Sequence, residues 1–292
     1  MQEFIQQFAT GLSTGSLYAI LALSLVLIYR STSIVNFAQG EMAMFTTYLA
    51  WSVWNGGAEF WIAFFATLVM AMIFGALTEL VALRPVETGP VLNPIIVTLG
   101  LFTLVNSIAL RIWSGEPKAF PTAPIFQGGP LKLASAVISR PNVGVFCMSV
   151  VIMLLIYAFF NYTKLGLAMR ATAQNRVASR LVGIRVGRML ALGWALSAMV
   201  GAVAGMLLAP TLFLSPGMMQ GVLLFAFAAA VLGGLESPVG AIVGGLTVGV
   251  VQNMAGTYIG SNIDIAVAFF VIIVVLLVRP RGLFGRRVVQ RV

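Results

Sequence analysis

Polar groups able to hold or pass a solute collect in two stretches of an otherwise apolar chain. Residues 34–45 read "IVNFAQGEMAMF", with Asn36, Gln39 and Glu41 beside or within an apolar run. A charge at a bilayer centre costs about 2.5–3.5 kcal/mol on insertion scales, so such groups face a cavity or a partner. Two readings stand. The stretch is a broken or re-entrant helix lining a solute path, or it is a surface loop following Arg30. Gly40 supplies a permissive backbone joint in either case. Asn106 sits midway along another apolar run, where it lines the same path or hydrogen-bonds between helices.

The second stretch is residues 164–188, "KLGLAMRATAQNRVASRLVGIRVGR", with six of the seventeen basic residues and no acid. On a helix over 173–182, Ala173, Val177, Ala178, Leu181 and Val182 fall on one side. Asn175, Arg176, Ser179 and Arg180 fall on the other. Thr172 is placed to cap the start and Gly183 to stop the end. About ten residues give only ~15 Å, too short to span a bilayer. The stretch therefore reads as a short amphipathic helix outside the membrane, resting on anionic lipid or docking a protein. It carries no Trp or Phe, as a lipid-resting helix would, and its small residues favour a protein groove.

Other chemistry is missing. With no His and one Cys, the chain has no His-based acid–base pair, no His/Cys zinc site and no internal disulfide. Cys147 reads as ordinary packing. No G-x-x-x-x-G-K-[ST] phosphate loop and no H-E-x-x-H occurs. The sparse acids make no buried proton relay. No catalytic, metal or cofactor residue is expected. A transporter with neither a nucleotide site nor a proton relay needs a partner to supply energy, which makes a docking helix physically sensible.

The elements that must position these residues are membrane helices. Of 292 residues, 60% are hydrophobic and 9% charged, against roughly a quarter charged in a soluble domain. Nine apolar stretches are candidate spans: 11–29, 36–54, 61–83, 94–113, 143–161, 190–209, 219–235, 238–256 and 263–279. Several of the later ones are short or broken by Gly and Pro, so eight to ten spans, some re-entrant, is the expectation for this all-α integral membrane chain. The net charge of +9 flanks apolar runs, so it reads as membrane orientation rather than nucleic-acid binding. The basic block and the tail "RPRGLFGRRVVQRV" belong on the cytoplasmic side, and the 114–142 loop outside. The start, "MQEFIQQF", lacks the features of a cleaved signal. The chain reads as one transmembrane domain over 1–292. A first half covers about 1–162, a cytoplasmic loop 163–188, and a second half 189–292. Each half has a broken polar element, the second being "PTLFLSPGMMQG", which suits the two-half pseudo-repeat of transporters.

Four stretches carry a resemblance that extends over almost the whole chain. "GSLYAILALSLVLIYRSTSIVNFAQGEMAMF", "TKLGLAMRATAQNRVASRLVGIRVGR", "FAAAVLGGLESPVGAIVGGLTVGVVQ" and "LLVRPRGLFG" occur in the order found in Liv-type permeases of branched-chain amino-acid ABC importers. The chain resembles that family. The resemblance implies a multi-pass protein of the bacterial inner membrane and a pore made by two permease subunits. It also implies two cytoplasmic ATPase subunits and a periplasmic or extracellular solute-binding protein. The family's coupling helix maps onto Arg170 to Ile184, with Arg170, Ala173, Arg176, Arg180, Leu181 and Gly183 as expected coupling residues. Asn36, Gln39, Glu41 and Asn106 are the expected path residues. Related permeases for urea or short amides remain an alternative, as does an ion-gradient transporter. A non-transporting membrane enzyme or scaffold is a third class, disfavoured by the missing His and paired acids.

Overall fold

A computed structural model describes residues 2–87, 89–90, 92–133, 136–260 and 263–285. The tail arginines Arg286, Arg287 and Arg291 lie outside the described residues. The helices are α1 (Gln2–Thr32), α2 (Gln39–Asn55), α3 (Phe60–Thr78), α4 (Leu92–Trp113), α5 (Arg140–Tyr162) and α6 (Lys164–Gln174). They continue with α7 (Arg176–Leu181), α8 (Val186–Leu212), α9 (Gln220–Gly233), α10 (Pro238–Tyr258) and α11 (Asp264–Val278). A wide π-turn at Glu79–Leu83 and a 3-10 turn at Arg84–Val86 prolong α3. The second of these carries Pro85, which has no N–H to continue an α-helical ladder. An antiparallel hairpin, β1 (Leu131–Leu133) and β2 (Ala136–Ile138), lies in the loop between α4 and α5.

Among the described residues, six helices are long and apolar enough to cross a membrane: α1, α3 with its extension, α4, α5, α8 and α10. α9 and α11 are shorter apolar helices, and α2 has 17 residues. The helical membrane architecture read from composition is present, and the hairpin is an addition to it. Helix positions follow the apolar runs closely, but α1 begins nine residues before its run, among polar residues that the hydropathy of 11–29 did not include.

The core is built on α1 and α8. Ile20, Leu21, Leu27 and Ile28 of α1 and Trp194, Val200 and Ala204 of α8 are almost fully buried. Around them, α3, α4, α5 and α11 turn large apolar residues outward, such as Ile62, Phe65 and Val69 of α3. In water this would be untenable; against acyl chains it needs no cover.

Without a hydrophobic force between helices in lipid, close approach must do the joining, and small residues permit it. α1 and α10 meet through Gly15, Ala19, Gly245 and Gly249. A Cβ at Gly249 would fall 2.1 Å from the Cα of Gly15. Gly240 and Gly244 give α10 the same close approach to Gly233 and Ala229 of α9. Asn253 Nδ2 joins the same two helices, donating to the Gln7 carbonyl at 2.6 Å and to Gln7 Oε1 at 2.9 Å. Cys147, expected to pack, is instead exposed on α5.

The end of the bundle bearing Gln2 carries a belt of aromatic and backbone ties. Trp113 stacks on Tyr48 with centroids 4.9 Å apart, and its Nε1 donates to Ser52 Oγ at 2.8 Å. Lys118 and Leu214 exchange backbone hydrogen bonds of 2.9 Å, which ties the loop after α4 to the exit of α8.

Candidate functional site

The stretch 33–38 does not run along the surface. It turns back into the protein, so that α2 begins inside the core: Asn36 and Gln39 are 0% exposed. An uncapped helix start there would bury unsatisfied N–H groups. Asn36 answers part of this, its Oδ1 accepting the Ala38 N–H at 3.0 Å. Its Nδ2 donates to Gln39 Oε1 at 3.1 Å. Gln39 Nε2 donates to the Ser197 carbonyl of α8 at 3.2 Å. The Ser197 hydroxyl donates to the Ser24 carbonyl of α1 at 2.7 Å and lies 3.1 Å from Gln39 Oε1. One amide side chain thus ties α2 to α8, whose Ser197 in turn holds α1.

Two residues after Gln39, Glu41 is 1% exposed. Its Oε2 accepts from Asn106 Nδ2 of α4 at 2.9 Å, and Asn106 Nδ2 also donates to the Pro216 carbonyl at 2.9 Å. The Gln220 side chain, at the first residue of α9, hydrogen-bonds Glu41 as well. The carboxyl group therefore sits between the N-terminal turns of α2 and α9. The two broken polar elements seen in sequence meet here: Met219 and Leu223 pack against Gly40.

At the opposite end lies the basic block. It is two helices, not one over 173–182. Asn175 has φ −155 and ψ 105, which ends α6, and its side chain accepts the Ala178 N–H at 2.9 Å to start α7. Asn175 is the cap expected of Thr172; Thr172 is buried in the last turn of α6. Gly183, with φ +83, stops α7 as its composition suggests.

The face of α7 that meets the body is the polar one. Arg176 Nη1 pairs with Glu87, and its Nη2 donates to the carbonyls of Ser31 and Thr32 at 3.2 Å each. Those carbonyls are the unpaired C-terminal acceptors of α1, which a cation satisfies well. Ser179 is buried. Outward stand Val177, Leu181 and Val182, exposed by 68%, 84% and 76%. Arg180 and Gly183 are exposed beside them. A second ion pair braces the neighbourhood: Arg84 grips Glu79 with two bonds of 2.9 and 3.3 Å and donates to the Gly187 carbonyl at 3.0 Å.

Comparison with known proteins places this geometry. Residues 7–278 match the family described as branched-chain amino acid transport system / permease component. The chain belongs to that permease family. It is a transport permease subunit rather than an enzyme. The permease is 32% identical to the high-affinity branched-chain amino acid transport system permease protein BraD of Pseudomonas aeruginosa, over 99% of this chain and 98% of that one. It is 31% identical to the permease protein LivH of Escherichia coli, again over 99% and 98%. A probable LivH of Methanocaldococcus jannaschii is 28% identical over 93% and 89%. Among solved structures, PsaBC from Streptococcus pneumoniae in complex with Fab shares the fold with TM-score 0.50 at 14% identity, covering 96% of each chain.

The permease brings its expected residues together in two groups. Asn36, Gln39, Glu41 and Asn106 form the buried node between α1, α2, α4, α8 and α9. Arg176, Arg180, Leu181 and Gly183 share α7 and its end. Arg170 and Ala173 lie apart from these, on α6, where they line a cavity of about 540 Å3. Sequence reasoning missed Glu87 and the α1 carbonyls as the seat of Arg176. The only signal was the acid itself, 89 residues away. Replacing Arg176 with Met removes the pair and both carbonyl contacts. Because the side chain is one-third exposed, screening leaves about 1 kcal/mol. Backbone amides of 176–183 are expected to exchange with solvent about fivefold faster, read by hydrogen–deuterium exchange in detergent.

Proposed function

We propose that the permease is a membrane subunit of an ATP-driven importer for branched-chain or related amino acids. The names of its near full-length relatives support the substrate class. A solute-binding protein delivers the amino acid at the end carrying Gln2 and the hairpin. Two ATPase subunits drive the cycle from the end carrying α7. A second permease subunit completes the pore, and the complex sits in the inner membrane of the cell. The chain crosses nine times, α2, α9 and α11 adding to the six longer helices, so the start faces outward and the basic block faces the cytoplasm. The 1–162 and 189–292 halves are related by the meeting of their broken elements at Glu41.

One observation carries the docking assignment. α7 turns an apolar face of Val177, Leu181 and Val182 away from the protein, on a helix too short and too basic at its margins to lie in lipid tails. Exposed apolar patches of this kind mark protein contacts. Arg176 anchors the helix so that the face is presented rather than buried. ATP-driven closure of the ATPase pair then pushes α7, and through Arg176 pushes the end of α1. A photoreactive residue at 181 in the co-expressed complex tests this: it should crosslink to an ATPase subunit. Crosslinks to lipid alone refute the docking.

A further inference from the structure

We propose that the cavity of about 540 Å3 at the basic end of the chain is a holding site for an aliphatic zwitterionic amino acid on its way to the cytoplasm. The inference rests on the importer reading and adds to it a place where this chain grips the solute.

The cavity lies between the C-terminal part of α1, the end of α5, α6 and the start of α10. Its size falls within the roughly 300–1,000 Å3 usual for small-molecule sites. Three charged groups border it: Arg30, Arg170 and Glu236. Met153, Ile156 and Ile242 also line it and give it an aliphatic surface. Arg30 lies over the ring of Phe160 with its Cζ 6.0 Å from the centroid, which holds the guanidinium at the cavity margin. The Nε of Arg170 is buried and has no hydrogen-bond partner among the described residues. A buried donor left unmade is costly, and a carboxylate is the partner that answers a guanidinium best.

The chemistry selects one class of ligand. The unpartnered Arg170 Nε suits a carboxylate, Glu236 suits an ammonium, and the aliphatic lining suits a branched side chain. A lipid phosphate or a fatty acid would meet the charge of Glu236 unfavourably. A neutral amide would offer the buried Arg170 Nε no charged acceptor. An α-amino acid presents both charges on one carbon and carries its apolar group away from them.

The position also gives the site a means of release. Arg170 and Ala173 belong to α6, which continues through the Asn175 joint into α7. A push on the exposed face of α7 therefore reaches one wall of the cavity. Glu236 and Ser237 lie at the start of α10, whose packing on α1 fixes the other side.

The test uses the complete importer, reconstituted in vesicles with its ATPase subunits, partner permease and binding protein. A leucine analogue bearing a diazirine is imported and crosslinked by light during turnover. Labelled peptides are located by mass spectrometry, and labelling is expressed per complex retaining its ATPase subunits. We expect label on the segments holding Met153, Ile156 and Ile242. Glu236→Gln is expected to lower that label at least tenfold, and Ile242→Trp, which fills the cavity, to remove it. Uptake with label confined to other segments overturns the site, as does undiminished label in both variants. Wild-type vesicles that import another solute but no leucine or its analogue overturn the substrate reading, and the site with it.

Discussion

Val177→Asp combined with Leu181→Asp is expected to strip the ATPase subunits from the membrane complex. Both residues stand on the outer face of α7, 68% and 84% exposed, with no role in holding the helix to the body. Burying a Val or Leu at an interface contributes about 1.5–3 kcal/mol, so removing two costs about 3–6 kcal/mol per docking site. An aspartate forced against an apolar groove adds an unpaired buried charge. At roughly 1.4 kcal/mol per tenfold, the complex should bind at least about 100-fold more weakly. Co-purification of the ATPase subunits with the tagged permease reads the effect directly, and ATP-dependent uptake should fall with it. The fold should be untouched, because both side chains point into solvent. A matching melting temperature for the isolated permease separates lost docking from lost folding.

The second large effect is on assembly of the bundle itself. Gly249→Leu places a Cβ 2.1 Å from Gly15 Cα and 2.3 Å from Gly15 N, so backbone rather than a flexible side chain must move. Overpacking in a fitted core costs about 1–3 kcal/mol and more where backbones are forced apart. Here α1 is the central helix, and displacing it disturbs the Ser24–Ser197–Gln39 tie as well. The expected result is a membrane yield reduced about tenfold and a lower detergent melting temperature. Gly100→Ala is the control, since its Cβ would meet nothing within 4 Å. It should match the parent in both measurements.

The helices were easy to find in the sequence because lipid-crossing segments are written in composition. The runs at 94–113 and 238–256 lie almost where α4 and α10 do. The broken element at 34–45 was also visible, since three polar residues interrupt oil there. Which of its two readings holds depends on partners far along the chain. Gln39 enters the core because Ser197, 158 positions away, offers a carbonyl to it. Glu41 is tolerated because Asn106 and Gln220 converge on it. Neither distance is encoded locally.

The basic block shows the same limit more sharply. Helical periodicity parted Arg176 and Ser179 from Val177, Leu181 and Val182, as α7 does. It also put Arg180 on the face that meets the body and Ala173 on the same helix, and it carries no sign for which face meets the protein. The usual rule puts the apolar face inward. Here Arg176 reverses it, because the C-terminal carbonyls of α1 and the carboxylate of Glu87 outbid the burial of Val177 and Leu181. Asn175 interrupts the helix for a local reason that was readable: a residue of this type readily caps the turn that follows it. Thr172 was an equally good cap by type, and only its burial in α6 decides against it.

The account's central claim is that the permease is an unpowered gate moved by ATPase subunits at α7. The most direct measurement is leucine accumulation in sealed vesicles containing the permease with and without its ATPase subunits, the binding protein and partner permease being present throughout. The account predicts accumulation against a gradient only when the ATPase subunits and ATP are both supplied. Accumulation without them, driven by an imposed ion gradient, would contradict it.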